Sequence, residues 1–379
     1  MKRSLFSICL AALLLQVITI TSAVAQPAKI GHAADSYLFN DSHFHLTNYI
    51  QEGITAKDLL KVMGDKVHRS TLFGIPVQQQ WSYRVTGDFA PKYYLDTDAP
   101  LYYYSFTDAY IAMQYLSLDK EDRARFDPMI TGFNPTDMYA AAHIRRVLET
   151  FPGVFTGIGE FSIHKEFVSA KISGDVASLT DPALDSIFSF CEESGLQIIL
   201  HNDVDDAFPK PNSPDYTKDM IDLFKRHPKA AIIWAHCGLG RIVTPPNEYV
   251  KFLEKMLMDP DLKHVNFDIS WDQVAKYVVY DSTSLARSAY LFNKYPDRFL
   301  FGTDNMAPAS QEIHLKVYHL YDPLWKMLTP DASYKIRLGN YERLFDAAAK
   351  RVRTWEKENL GKPKKAPEPT PTSGVKKED

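Results

Sequence analysis

The sequence predicts an α/β protein of the (β/α)8, or TIM-barrel, class, and three observations predict it. Eight short apolar runs recur along the chain, most of them unbroken rather than alternating, as strands covered on both faces of a parallel sheet must be. Helical patterns separate the runs. From the fourth run onward the repeat is roughly 34 to 42 residues, a comfortable βα unit. Strand–helix alternation repeated eight times argues for a closed barrel rather than an open sheet.

Each element has its own warrant. The first strand is read at 37–45, ending in His-x-His. A helix over 55–67 begins with the Thr55 cap and carries Leu59, Leu60 and Met63 at helical spacing. The second strand covers 71–77 (TLFGIPV). The interval 78–127 is far longer than a βα connection needs. It holds the aromatic runs QQQWSYRV and KYYLDTDAPLYYYSF and a helix over 107–116. It leaves the C-terminal end of strand two, the face on which barrel active sites sit, and is expected to form a lid or pocket wall. A weaker third strand lies at 128–133. The remaining strands are 154–161, 196–201, 230–236, 264–269 and 298–303. Helices are read at 137–151, 181–194, 216–227, 248–258 and 283–295. Segments near 323–328 and 332–349 are expected to pack outside the barrel, giving a domain over 33–350. The Lys-, Pro-, Glu- and Thr-rich stretch 355–379 lacks apolar residues to bury and is expected to be a disordered tail.

Composition excludes several classes. The chain has 379 residues, 45% apolar and 24% charged, with a formal net charge of −4. It can bury a large core, and no basic surface marks it as a nucleic-acid binder. Lys2 and Arg3, an apolar run from Leu5 to Ile20 and the small-x-small Ala23-Val24-Ala25 have the layout of a secretory signal peptide over 1–25. Cleavage is expected after Ala25, with export to the periplasm or medium. The apolar run is shorter than the roughly 20 residues that span a bilayer, so no stable membrane insertion is expected after cleavage. Removing the leader leaves 41 basic against 47 acidic residues. Cys191 and Cys237 remain and read as buried packing thiols, not as a disulfide scaffold. The oligomeric state stays open, a homo-oligomer included.

The chemistry lies at the strand ends. His43 and His45 end strand one, and a period of two sends both imidazoles to one side. Glu160 ends strand four, His201 strand five and His236 strand six, and Asp304 follows strand eight. All six fall on the same face of one barrel. Imidazoles and carboxylates without thiolates are the ligands of hydrolytic sites, with zinc the first expectation and manganese, iron or cobalt compatible. A lone His-x-His is weak, but five separate elements each delivering a ligand type to one end point to a metal site. No G-x-S-x-G elbow and no phosphate-binding loop competes.

The motifs DSHFH (Asp41 to His45), GIGEF (Gly157 to Phe161), IILH (Ile198 to His201), WAHCG (Trp234 to Gly238) and FGTDN (Phe301 to Asn305) together resemble the amidohydrolase superfamily. LGNYERLF (Leu338 to Phe345) resembles the closing helix of its amidohydrolase-related branch. The resemblance runs from about Asp35 to Ala349. It implies that His43 and His45, with Asp304, bind the more buried metal and that His201 is a ligand. It implies that His236 either ligates a second metal or acts as general base and electrophile, and that Asp304 takes the proton from metal-activated water. A divalent ion lowers the pKa of its water to about 7, and a carboxylate beside it can relay the proton. Many members carry a carbamylated lysine on strand four. Here the position is Glu160, with Lys165 too far along to replace it. Glu160 either bridges two ions or orients a ligand histidine around one.

Other candidates lie around this set. Asn202 and Asp203 directly follow a ligand. Arg241, after the His236 loop, suits a substrate carboxylate. Trp81, Tyr83 and Arg84 are substrate-binding candidates in the insertion. Asp268 and Asp272 border strand seven and are left out of the set, and so is His164. His32, His68, His143, His227, His264 and His314 have no partner pattern and read as surface or structural. The function that emerges is hydrolysis of an amide, lactone or ester bond in a small molecule. The alternative is non-oxidative decarboxylation, which the same branch also performs. Glu160 and the export signal argue against the alternative.

Overall fold

The computed structural model describes residues 37–48, 53–76, 80–81, 95–96, 106–165, 171–172, 175–206 and 216–361. The expected leader, Tyr83, Arg84, most of the aromatic insertion and the chain beyond 361 lie outside them. The described chain forms an eight-stranded parallel sheet in strictly sequential order. The strands are β1 (Phe39–Asp41), β2 (Val67–Leu72), β3 (Phe126–Ile130), β4 (Gly157–Ser162), β5 (Gln197–His201), β6 (Ala231–Trp234), β7 (Val265–Asp268) and β8 (Phe299–Leu300). Closure is made by the backbone. The Ser42 N–H donates to Phe301 O at 3.2 Å, and Asn305 and Met306 pair in parallel with Phe44 and His45.

The helices are α1 (Ala56–Met63), α2 (Phe106–Leu116), α3 (Ala140–Thr150), α4 (Pro182–Ser194), α5 (Tyr216–Arg226), α6 (Tyr249–Met258), α7 (Asp272–Val278), α8 (Ser282–Lys294), α9 (Gln311–Leu320) and α10 (Asn340–Asn359). Side-chain caps fix several of these starts. Thr55 accepts from Asp58 N, Asp181 from Ala183 N with Pro182 in the first turn, and Asp281 from Ser284 N. No helix of the described residues is long and apolar enough to cross a membrane.

Alternation sorts the core. Phe73, Met129, Ile199, Ile233, Ala235 and Leu300 form an inner cluster with Tyr341, Leu344 and Phe345 of α10. Their sequence neighbours Ile198, Leu200, Ile232, Trp234, Phe299 and Phe301 pack in the outer cluster, under the helices. Helix α10 therefore plugs the N-terminal end of the barrel. Tyr341 donates to Asp127 at the start of β3, and Asn340 donates to Phe299 O at the start of β8.

Several boundaries differ from the sequence reading. Strand two begins at Val67, inside the expected helix, because Gly64 ends α1 in a conformation other than helical. Strand six stops at Trp234, and His236 lies in the turn beyond it. The closing helix runs to Asn359, since Val352 and Trp355 are buried, so order extends past the expected start of the tail at 355. Within the insertion, Gln80–Trp81 pairs in parallel with Leu95–Asp96. Helix α2 is anchored by Asp108, whose buried carboxylate accepts the N–H groups of Thr131 and Gly132 just past β3. Of the lid expected over 78–127, residues 78–79, 82–94 and 97–105 lie outside the described residues.

Candidate metal centre

The C-terminal mouth gathers all six residues singled out in the sequence, and different devices put them there. On β5, His201 shares the inward parity of Ile199. On β8, Asp304 continues the inward parity of Leu300 and Gly302, and its N–H donates to His43 O at 2.8 Å. A Cβ at Gly302 would lie 2.8 Å from both the backbone N and the Cβ of His43, so only glycine lets β8 and β1 approach this closely.

Glu160 and His236 reach the mouth against alternation. Ile158 pairs with Ile198 while Phe161 pairs with Leu200, so β4 carries one residue more than β5 over this stretch. That extra residue turns Glu160 inward, where simple alternation from Ile158 would send it under the helices. At Gly159, φ is +105° and an added Cβ would meet Ile199 O at 2.1 Å. On β6, alternation from Ile233 and Ala235 points His236 outward. A left-handed turn through His236 (φ 56°), Cys237 (φ 50°) and Gly238 (φ 74°) brings its ring back over the mouth. Asp304 is also left-handed, at φ 53°. Non-glycine residues held there cost of order 1–3 kcal/mol each and cluster at functional sites.

The four imidazoles form one group. Ring centroids lie 5.3 Å apart for His43 and His45, 4.6 Å for His43 and His236, and 4.9 Å for His201 and His236. Phe73 of the inner core packs edge-on against His43 and His45, at 5.0 and 5.2 Å, and gives the site an apolar floor. Glu160 sits among the imidazoles with its oxygens divided. Oε1 lies 2.7 Å from His201 Nδ1 and 3.4 Å from His236 Nε2. Oε2 lies 3.5 Å from His45 Nε2 and 3.6 Å from His43 Nε2. Asp304 Oδ1 is 3.0 Å from His45 Nε2 and 3.4 Å from His43 Nε2, and Oδ2 is 3.9 Å from His236 Nε2.

A surrounding layer fixes the ring nitrogens. His43 Nδ1–H donates to Asp268 Oδ2 at 2.7 Å, and His201 Nε2–H donates to Asp203 Oδ1 at 2.8 Å. Ser270 Oγ lies 2.9 Å from His236 Nδ1, and the Ser270 N–H also holds Asp268 Oδ1. The exit of β7 thus orients two imidazoles at once. The sequence reading left Asp268 out, although it is the inward-facing last residue of its strand, and it missed Ser270. Lys165, read as lying too far along to replace a strand-four lysine, places Nζ 3.4 Å from each oxygen of Glu160. The Asn202 side chain donates instead to Asp203 O, and its backbone carbonyl accepts from Trp234 Nε1. His314 is buried behind the site, with Nε2 3.5 Å from Asp41. Asp272 is exposed at the start of α7. Arg241 stacks over Trp271 at 5.0 Å, and the Trp271 ring lies 5.0 Å from that of His236. Trp81 has its backbone in a strand, and Arg84 lies outside the described residues.

The charges tell one story. Burial works against protonating His43, yet Asp268 first, then Glu160 and Asp304, hold its pKa well above the ordinary value. Burial and Lys165 oppose a charge on His201, and Asp203 and Glu160 outweigh them. Burial would raise Glu160, but Lys165 and then His201, His236 and His43 hold it well below the usual range. Burial would likewise raise Asp304, and His45, His236 and His43 hold it below. His236 goes the other way, burial lowering its pKa toward the neutral ring. Four carboxylates thus surround a pocket that favours positive charge.

These residues fit a divalent cation. His43 Nε2 and His236 Nε2 are buried without a hydrogen-bond partner, although both face carboxylates. Three groupings bring ligand atoms within 4.8 Å of one another: His43, His45 and Glu160; His43, His236 and Asp304; and Glu160, His201 and His236.

A family model described as amidohydrolase matches residues 41–347. No curated protein matches the sequence. Among solved structures, an amidohydrolase II is 14% identical, with 81% of this chain and 99% of that one covered at a TM-score of 0.50. Dihydroorotase from Campylobacter jejuni is 14% identical over 81% of this chain and 83% of its own, with a TM-score of 0.48. 2,6-Dihydroxybenzoate decarboxylase from Rhizobium is 14% identical over 82% and 98%, also at 0.48.

Proposed function

Because this chain belongs to the amidohydrolase family, whose members are metal-dependent enzymes acting on small molecules, we propose that it hydrolyses an amide, lactone or ester bond with water activated at a divalent cation, zinc being the first choice for this donor set. The observation that carries the reading is Asp304. Its carboxylate faces three imidazoles, is held ionised, and is the more exposed carboxylate of the pair, at 10% against 5% for Glu160.

His43, His45 and Asp304 would hold the cation, which when bound acidifies water and polarises a carbonyl. The chain's own groups do the rest. Asp304 Oδ2 accepts the proton of the attacking water and returns it to the leaving amine or alkoxide. His236, kept neutral by burial and held at Nδ1 by Ser270, presents Nε2 to the oxygen on which negative charge develops. Phe73 and the inner core below the imidazoles keep bulk water from the rear of the site.

A second reading, decarboxylation, is favoured by Arg241. Stacked on Trp271, it brings a guanidinium near His236, suited to a substrate carboxylate. Export to the periplasm or medium is proposed from the basic start, apolar run and Ala23-Val24-Ala25.

The test is a panel of amides, lactones, esters and aromatic or enoic acids, with zinc or manganese added and carbon dioxide read separately from acid release. Acid release that disappears on chelation and in Asp304→Asn supports hydrolysis. Carbon dioxide without new acid establishes the second reading. Full turnover after verified removal of metal overturns both.

A further inference from the structure

The oxygens of Glu160 are divided between two sets of imidazoles, and a third group claims both of them. Lys165 Nζ lies 3.4 Å from Oε1 and 3.4 Å from Oε2, so the ammonium straddles the carboxylate. The contact is buried, with Lys165 and Glu160 side chains 7% and 5% exposed. In so dry a place the ion pair is strongly coupled, and the lysine is the leading charged influence on Glu160.

The candidate groupings differ in their dependence on that carboxylate. His43 and His236 meet Asp304 as well as Glu160, and His45 Nε2 lies nearer Asp304 than Glu160. A cation on the His43 and His45 side therefore has a carboxylate of its own. The His201 grouping consists of His201, His236 and Glu160, so its one carboxylate is the one under the ammonium. A second divalent ion there would use Oε1, the oxygen that already has Nζ at 3.4 Å and His201 Nδ1 at 2.7 Å. Two like-signed charges would then share one buried oxygen, a cost that burial magnifies.

We propose that Lys165 stands in for a second metal: the site holds one divalent cation, on the His43, His45 and Asp304 side, and the Lys165 ammonium neutralises Glu160 and keeps the His201 side free of metal. This rests on the metal-dependent reading above and sharpens it. Glu160 then serves to orient His201 and the lysine rather than to bridge two ions. His236 serves as a proton-bearing group rather than as a ligand, with Ser270 Oγ–H donating to its Nδ1.

The experiment counts metal. Wild-type protein, Lys165→Met and Lys165→Arg are loaded with excess zinc, freed of unbound ion by gel filtration and analysed for zinc per chain by elemental mass spectrometry. One equivalent is expected in wild type and in Lys165→Arg, and two in Lys165→Met. Two equivalents in wild type, or one in a folded Lys165→Met, overturn the proposal. No bound metal in wild type overturns the metal-dependent reading itself, so the two failures are distinct. Should Lys165→Met not fold, manganese-loaded wild type decides alone. The paramagnetic resonance of isolated Mn(II) supports the proposal, and the exchange-coupled signal of a pair at two equivalents overturns it.

Discussion

At the scale of single residues, the imidazoles of the candidate metal centre are aimed by partners around them. Asp268 accepts from His43 Nδ1 and is itself held by Ser270 N–H, and Ser270 also steadies His236. Removing such a partner typically weakens metal binding about 10–100-fold. Asp268→Ala is therefore expected to lose zinc affinity in that range while the barrel stays folded, as read by competition against a chromophoric chelator. Unchanged affinity would show that His43 needs no orienting. Gly302 offers a second check. In Gly302→Ala the new methyl would press on His43 at 2.8 Å. Zinc affinity and midpoint of denaturation are both expected to fall, and an alanine tolerated at full affinity would mean that β8 has room to move.

At the scale of elements, period and parity explain both what could be read from sequence and what could not. His201 and Asp304 obey alternation, and His43 and His45 lie two residues apart on one face, so the sequence announces them. Glu160 and His236 were placed rightly for an incomplete reason, since alternation alone sends both outward. One extra residue in β4 and a left-handed turn after β6 bring them back. Lys165 was read only as lying too far along to replace a strand-four lysine, and its contact with Glu160 gave no signal, because the chain after β4 runs on beside the exit of β5 and only the side chain reaches back. Ser270 gave no signal, because a serine after a strand is commonplace and its meaning comes only from the ring beside it. Helix α2 carries a prediction of its own. Burial pushes the Asp108 pKa up to about 7, above its ordinary 3.8, with only the backbone N–H groups of Thr131 and Gly132 opposing. The folded protein therefore holds this proton more tightly than the unfolded chain does. Stability from this group is full below about pH 4 and is lost as pH rises to about 7. Asp108→Asn keeps the acceptor Oδ1 and removes the titration, so the fall in denaturation midpoint between pH 4 and 7 should become shallower. An identical slope in both proteins would contradict the assignment.

At the scale of the whole molecule, the barrel is a closed sheet with its floor supplied by the last helix. The LGNYERLF segment was readable as a closing helix, but its role as a plug depends on inward residues of five strands and could not be seen from α10 alone. Phe345 is fully buried in that plug. Phe345→Ala is expected to cost about 3–5 kcal/mol, the usual range for emptying a buried aromatic site, measured by denaturant unfolding. A loss below about 1 kcal/mol would mean that the floor collapses to fill the space.

The seam between first and last strands has a consequence for the life of the chain. His43 and Asp304 are neighbours through a backbone bond, yet 261 positions of sequence separate them. A ribosome has nearly finished its work before the donor set can assemble. On the export route proposed above, a chain threaded unfolded through a membrane would acquire an ion only on the far side, and any metal it carried would record the supply in that compartment rather than in the cytosol where synthesis began.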